Sequence, residues 1–392
     1  MLLTFLLLII AHYGTIGSMI SFNINKNLSR SILDLENAFI NAYAEVSQYD
    51  SNELFSIQRY ARISSIGAST RIENALLTDS EVDWLDTVLS EDSKISSFIE
   101  NKQLIENKLS KDRERSIEEV AGCRNMMLLI LNCHEEMIPL KEADIRGLHY
   151  ELMSPYQGAH VIGQYKEQPN FVVETNHITK SSRVVFKTAQ AGPITSAAMN
   201  DLVSWYNQSI TDNDQTFLRV CEFVFRFLAI HPFQDGNGRL GRGLFLLGLL
   251  QSSNIAIKTV ASLLAIDRYI EKRKEEYYFT LNRCSKGVYV EDAKEYHIEY
   301  FCSFMLKVLR DSLADIGHYR KKYQAKKNLS ESANKVLNCF NEHPEIKLTN
   351  RQIVEMTNLP RRTIANVLKQ LKENDFIQSY GEGAGCRYQL TF

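Results

Sequence analysis

His231-Pro232-Phe233-Gln234-Asp235-Gly236-Asn237-Gly238-Arg239-Leu240-Gly241-Arg242 puts an imidazole, a carboxylate, a glycine-rich turn and two arginines in one short run. Ahead of it, Phe217, Leu218, Cys221, Val224, Phe225 and Leu228 recur at helical spacing, which predicts a buried helix over residues 217–230. Pro232 should end that helix and bias His231 away from helical angles. A second helix should begin near Gly238 and carry Leu240, Leu244, Leu247 and Leu250. Gly236 and Gly238 can take positive φ and aim backbone N–H groups into one concavity. The helix behind them adds the partial positive charge of its N-terminus. Arg239 and Arg242 lie three apart on its first turn, and guanidinium forks match phosphate oxygens.

These are the parts needed to hold a polyphosphate and pass one piece of it to a hydroxyl. An imidazole ordinarily titrates near working pH, so His231 is the candidate general base. Asp235 offers a hard oxygen to Mg²⁺, which usually binds through one or two carboxylates plus phosphates. Asn237 can donate to a phosphate oxygen, and Phe233 reads as an apolar anchor for the loop. The run resembles the Fic family signature, His-x-Phe-x-Asp/Glu-Gly-Asn-Gly-Arg-x-x-Arg, with every fixed position filled. The resemblance extends over roughly residues 124–309. It implies a mainly α fold: a Fic helical core with a short β-hairpin flap. It also implies a homodimer and a protein adenylyltransferase, which moves AMP from ATP to a Ser, Thr or Tyr hydroxyl of a target or of itself and releases pyrophosphate. ATP would then be held by Asp235, Gly236, Asn237, Gly238, Arg239, Leu240, Gly241 and Arg242, with Mg²⁺ on Asp235.

Ser69-Thr70-Arg71-Ile72-Glu73-Asn74 resembles the inhibitory pattern Ser/Thr-x-x-x-Glu-Gly/Asn of family members that carry this helix ahead of the core. The resemblance implies that Glu73 pairs with Arg242, with Ser69 orienting it. An arginine held by a carboxylate cannot hold a γ-phosphate. The same glutamate aligns water in relatives that remove AMP, and other relatives move other nucleotides or phosphocholine; the residues leave those alternatives open. Val184-Val185-Phe186-Lys187 resembles the flap that holds a target segment by strand addition. Thr188 to Pro193 replaces the proline cluster that usually follows. Tyr277 resembles a tyrosine of the adenine pocket, although Ser285 stands where members often have Asn.

At 392 residues the chain is long enough for two or three domains, and 44% hydrophobic residues support an ordinary core. A net charge of −2 gives no global pull toward nucleic acid or an anionic membrane. The 7 cysteines are scattered without C-x-x-C spacing, which points to reduced thiols in a cytoplasmic protein rather than a zinc site or disulfide framework. Residues 2–11 are apolar like a signal-peptide core but lack a basic n-region and are too short to span a bilayer. The first 18 residues read either as a signal or as an upstream start, with Met19 the natural one.

Five regions follow from the pattern: the apolar extension 1–18, a helical region 19–120 with the inhibitory helix at about 64–78, a catalytic domain 121–318, a basic linker 319–329, and a C-terminal domain 330–392. In the last, Thr349 caps one predicted helix and Asn358-Leu359-Pro360 turns into a second over residues 361–372. Residues 376–380 and 387–390 alternate as strands. This resembles a winged helix-turn-helix domain. In a DNA complex, Arg361, Arg362, Asn366 and Lys369 would face the major groove, with Arg387 near phosphate. From Thr349 onward, six basic side chains against four acidic ones make a weak footprint for DNA, so a protein-contact or dimer module fits equally. A chain dominated by that domain would be a DNA-binding regulator rather than an enzyme.

Overall fold

The computed structural model describes residues 20–90, 98–110, 113–158, 161–175, 182–210 and 215–391. The expectations for residues 1–18 lie outside them. Asn25 accepts from the Leu28 N–H and opens α1 (Lys26–Val46); Asp50 does the same for Glu53 and opens α2 (Ser51–Ile72). The inhibitory segment expected at about 64–78 is therefore the end of a longer helix. Its start is set by the Asp50 cap, and it stops early because Asn74 adopts φ 74°. Thr78 and Glu81 form a capping box for α3 (Asp79–Val88). Then come α4 (Phe98–Leu109), α5 (Glu114–Cys133) and α6 (Glu142–Met153).

A hairpin follows, β1 (Phe171–Thr175) antiparallel to β2 (Ser182–Lys187), irregular between Val172 and Val173. The core helices are α7 (Pro193–Ser209), α8 (Thr216–Ile230), α9 (Asn237–Leu250), α10 (Ile255–Ala261), α11 (Ile266–Glu271), α12 (Lys274–Ser285) and α13 (Ile298–Ser312). Almost every side chain of α8 and α9 is buried, as their apolar runs required. α14 (Ala314–Lys327) carries the basic stretch 319–327. That stretch is helical, and Tyr319 is buried with its ring stacked on Tyr60 of α2.

A second core, separate from the first, joins α15 (Glu331–Glu342), α16 (Asn350–Thr357) and α17 (Arg361–Glu373) through residues such as Val336, Ile353, Ile364 and Leu368. It is closed by β3 (Leu348–Thr349), β4 (Ile377–Tyr380) and β5 (Arg387–Leu390) in the order β3-β5-β4. Two helices joined by a turn and flanked by a small antiparallel sheet make a winged helix. β3 is too short to have shown any alternation. The fold is thus mainly α, with a hairpin beside the core and a separate C-terminal sheet.

Charge pairs fix α2 against its neighbours. Asp86 of α3 receives Arg62 of α2 at 2.9 Å and Arg124 of α5 at 2.7 Å. Burial pushes the Asp86 carboxyl up, but these two arginines, with Arg59 at 3.6 Å, outweigh it and hold it below the usual range. Asp86→Ala would leave two arginines without their partner, and should cost about 3–5 kcal/mol in a denaturant titration. Because the folded-state pKa is depressed, this stabilisation is full above the unfolded value near ~4 and is lost as pH falls through the folded one. The variant's deficit should therefore shrink in acid; a deficit constant down to pH 2 would refute the assignment.

Candidate active site

α8 ends at His231, which takes the left-handed conformation (φ 54°, ψ 59°) while its N–H still bonds Phe227 O at 2.9 Å. A non-glycine residue there is strained by about 1–3 kcal/mol. The surrounding loop over-determines it. Asn237 spans the turn: its Oδ1 accepts from Phe233 N at 2.9 Å and its Nδ2 donates to Phe233 O at 2.7 Å. Asn170 donates to Phe233 O at 2.7 Å and His231 O at 3.3 Å. The Phe233 ring is fully buried, stacked on His149 at 3.8 Å and 6°. Nε2 of His149 donates to Asp235 O at 3.0 Å, and Nδ1 accepts from Gly163 N at 2.9 Å.

His231 Nδ1 lies 3.2 Å from Leu228 O. A carbonyl only accepts, so Nδ1 carries the hydrogen, and in the neutral ring Nε2 keeps its lone pair. Burial pushes the imidazole down to about 4, and the nearby Lys166 ammonium acts the same way, against Glu73 and Asp235. The lowered value favours the neutral ring at pH 7, with Nε2 as its acceptor nitrogen.

Gly236 (φ 80°) is the N-cap of α9, and no side chain caps that end. The first-turn amides are therefore without a capping side chain, the arrangement that suits an anion in general. Beside them, Asp235 is 53% exposed at its side chain. Its Oδ1 accepts from Gly236 N at 2.6 Å and lies 3.6 Å from Arg239 Nη2. The Arg239 guanidinium is buried, 3.9 Å from Glu119, and among the described residues its Nε has no hydrogen-bond partner.

Arg242 is buried and grasped from two sides. Nη2 donates to Glu73 Oε1 at 2.9 Å and to Ser69 O at 2.8 Å. Nε donates to Ser69 Oγ at 2.9 Å and lies 3.1 Å from Asp267 Oδ1. Glu73 reaches this position because Arg71 anchors the end of α2, with Nε and Nη2 on Glu271 of α11 at 2.7 and 3.0 Å. The Glu73 carboxylate also lies against the first turn of α9: a Cβ built on Gly238 would stand 2.6 Å from its Oε1. It sits where the helix terminus favours negative charge.

The Fic/DOC family model matches residues 139–249, the stretch that contains this whole loop. The chain carries a Fic/DOC domain. Solved structures agree in fold. A Fic family protein from Desulfovibrio desulfuricans G20 is 21% identical, with 95% of this chain and 98% of that one covered, at TM-score 0.54. A Fic domain containing signaling protein from Bacteroides thetaiotaomicron is 20% identical, with 73% and 98% covered, at TM-score 0.54. A segment of Fic-1 from C. elegans is 15% identical, with 76% of each covered, at TM-score 0.50. Domain membership supports a nucleotidyltransferase-type enzyme acting on a nucleotide and a protein, and Fic proteins generally use ATP and Mg²⁺.

Within the Fic domain the structure redistributes several expected roles. Gly238 does not take positive φ; it lies in the first turn of α9, which starts one residue earlier than expected. The Asn237 amide is committed to Phe233, so this residue is a clamp for the loop. The Leu240 side chain is buried in the core and its amide bonds Gly236 O, while Gly241 lies against Leu228 and Phe227. Tyr277 is only 3% exposed, its ring packed against Phe301 and Phe304; Tyr278, 37% exposed, is the more open of the pair. Ser285 is internal, accepting from Gly287 N at 3.2 Å. Ser69 holds Arg242 rather than Glu73.

In the hairpin, Val184 and Lys187 are exposed and Phe186 packs partly on the core, while the Val185 side chain lies outside the described residues. Lys187 N–H donates to Gly287 O at 2.9 Å and Lys187 O accepts from Tyr289 N at 2.8 Å. Its outer edge is therefore occupied, and strand addition must end before it. His149, Asn170, Lys166 and Asp267 were missed by the sequence reading. Only His149 left a signal: a polar residue on the apolar face formed by Ile145, Leu148 and Leu152.

Proposed function

We propose that this chain is a protein adenylyltransferase restrained by its own Glu73. The observation that carries the reading is the Glu73–Arg242 pair at 2.9 Å, set on the uncapped start of α9 beside a neutral His231. A hydroxyl of the target attacks the α-phosphorus, and its proton passes to His231 Nε2. The bond from that phosphorus to the bridging oxygen breaks, and pyrophosphate leaves. The amides of the α9 terminus and Arg239 hold phosphate oxygens, and Arg242 holds the terminal phosphate once Glu73 withdraws. Asp235 suits Mg²⁺: it is exposed, it is a single carboxylate, and among the described residues the one ion pair at Oδ2 is Arg115 at 3.9 Å. The ion would offset charge on the phosphates.

The test is incubation with Mg²⁺, cell lysate and α-labelled ATP, GTP, UTP or CTP. Protein labelled from ATP above the other three supports the reading. Label from another donor, or release of AMP from a modified protein without labelling, would replace it with the alternative chemistries. A homodimer and a cytoplasmic setting belong to the same proposal; the latter rests on 7 cysteines that are all unpaired.

A second reading concerns the winged helix. Arg361, Arg362, Asn366 and Lys369 are all exposed on α17, and Arg387 is exposed on β5. That face supports a DNA-binding regulator. Binding of duplex DNA by the full chain should weaken steeply with salt and fall in Arg361→Ala/Arg362→Ala. No binding at low salt would leave this domain a protein-contact module.

A further inference from the structure

Lys166 belongs to no helix or strand, yet it is 1% exposed. A buried ammonium is costly unless all its hydrogens are met. Here all three are met. Nζ donates to Ile230 O at 3.0 Å, to Asn170 Oδ1 at 2.8 Å and to Thr188 Oγ1 at 2.9 Å. The backbone adds two more bonds: Lys166 N donates to Pro232 O at 2.8 Å, and Gly192 N donates to Lys166 O at 3.2 Å.

The positions of these partners matter more than their number. Ile230 and Pro232 flank His231 on either side. Asn170 immediately precedes β1 and Thr188 immediately follows β2, so they are the two roots of the hairpin. The Thr188 hydroxyl closes the triangle, donating toward Asn170 O at 2.8 Å or its Oδ1 at 2.7 Å. The other end of the Asn170 amide holds His231 O and Phe233 O. One ammonium thus touches the backbone before the proposed base and both ends of the element that would receive the target. An apolar side chain could fill the same space at lower cost, but it could not tie three separate segments to one point.

We propose that Lys166 is a positioning residue for transfer: it locks the hairpin roots to the His231 backbone, so that a segment held on the hairpin presents its hydroxyl at a fixed distance from Nε2. This rests on the transferase reading above. A displacement of about 1 Å between reacting groups can cost on the order of 100-fold in rate. Lys166 touches none of the groups assigned to the nucleotide, so its loss should appear in turnover and not in ATP affinity.

The test uses the full chain with Glu73→Gly, so that turnover is measurable. Adding Lys166→Met should lower kcat for target labelling about 100-fold while leaving the Kd for ATP within about twofold. Adding Lys166→Arg, which keeps several donors, should recover part of the loss. Thr188→Val removes only the hydroxyl at one root and should show the same pattern, about tenfold. A kcat unchanged in Lys166→Met would overturn the proposal. So would kcat and ATP affinity falling together in proportion to Tm, since that is what a purely structural lysine does. Amide hydrogen exchange separates this result from failure of the transferase reading. Lys166→Met should speed exchange both at the amides of residues 182–187 and at those of His231 and Phe233, whether or not AMP is transferred. Faster exchange at only one of them, or at neither, also overturns the coupling.

Discussion

Replacing Glu73 by glycine should raise the rate of AMP transfer by about 10- to 100-fold. One charge-assisted hydrogen bond joins Glu73 to Arg242, and such bonds are worth about 1.5–3 kcal/mol, with about 1.4 kcal/mol per factor of ten. The substitution removes the carboxylate and leaves the arginine in place. Ser69 still supplies its hydroxyl and carbonyl, and Asp267 still faces Nε at 3.1 Å. The Nη2 atom is then turned toward the space that Glu73 vacated, against the first turn of α9. Glu73 is the C-cap of α2, a position where glycine costs little, so the variant should fold. Glu73→Gln keeps the shape and removes the charge, and should fall between wild type and Glu73→Gly. The measurement is incorporation of α-labelled ATP into protein over time. Wild type and Glu73→Gly labelling at the same slow rate would mean that the pair is structural and that the brake lies elsewhere.

What the sequence disclosed follows from what short spacing can encode. His231, Asp235, Gly236 and the two arginines are neighbours along the chain, so the loop and the helix start were legible from twelve residues. The pairing of Glu73 with Arg242 crosses 169 positions, and no periodicity reports it; only a resemblance could suggest it. Asp267 gave no sign at all, because an acid on a six-residue helix that also carries Arg268 and Glu271 looks like surface. Asn237 was legible as present but not as employed. An amide near phosphate-binding glycines suggests a phosphate donor, while its actual partners are the backbone atoms of Phe233. Lys166 and Asn170 sit in an irregular segment, where side-chain direction has no period to be read from. The winged helix was the opposite case: Thr349, Asn358 and the inward row Ile364, Val367, Leu368 and Leu371 are local signals, and each appears in the structure as read.

Replacing His231 by alanine should abolish transfer, even with Glu73→Gly in place. General-base catalysis is worth about 100- to 10,000-fold, and no other described side chain is assigned to take the proton. The loss is chemical only if the loop conformation survives, and the backbone supplies the control. His231 has φ 54°, a conformation that costs alanine energy but that asparagine adopts readily. His231→Asn should therefore match wild type in Tm while being as inactive as His231→Ala. Should His231→Asn keep transfer within a few-fold of Glu73→Gly alone, another group is the base. The pH profile gives an independent reading. Burial holds the imidazole down to about 4, so the base form persists across pH 6–8 and transfer should be flat there, declining only as the ring protonates in acid. A profile falling through pH 6.5 would show an imidazole titrating as though in water, and so a site that opens to solvent before it reacts.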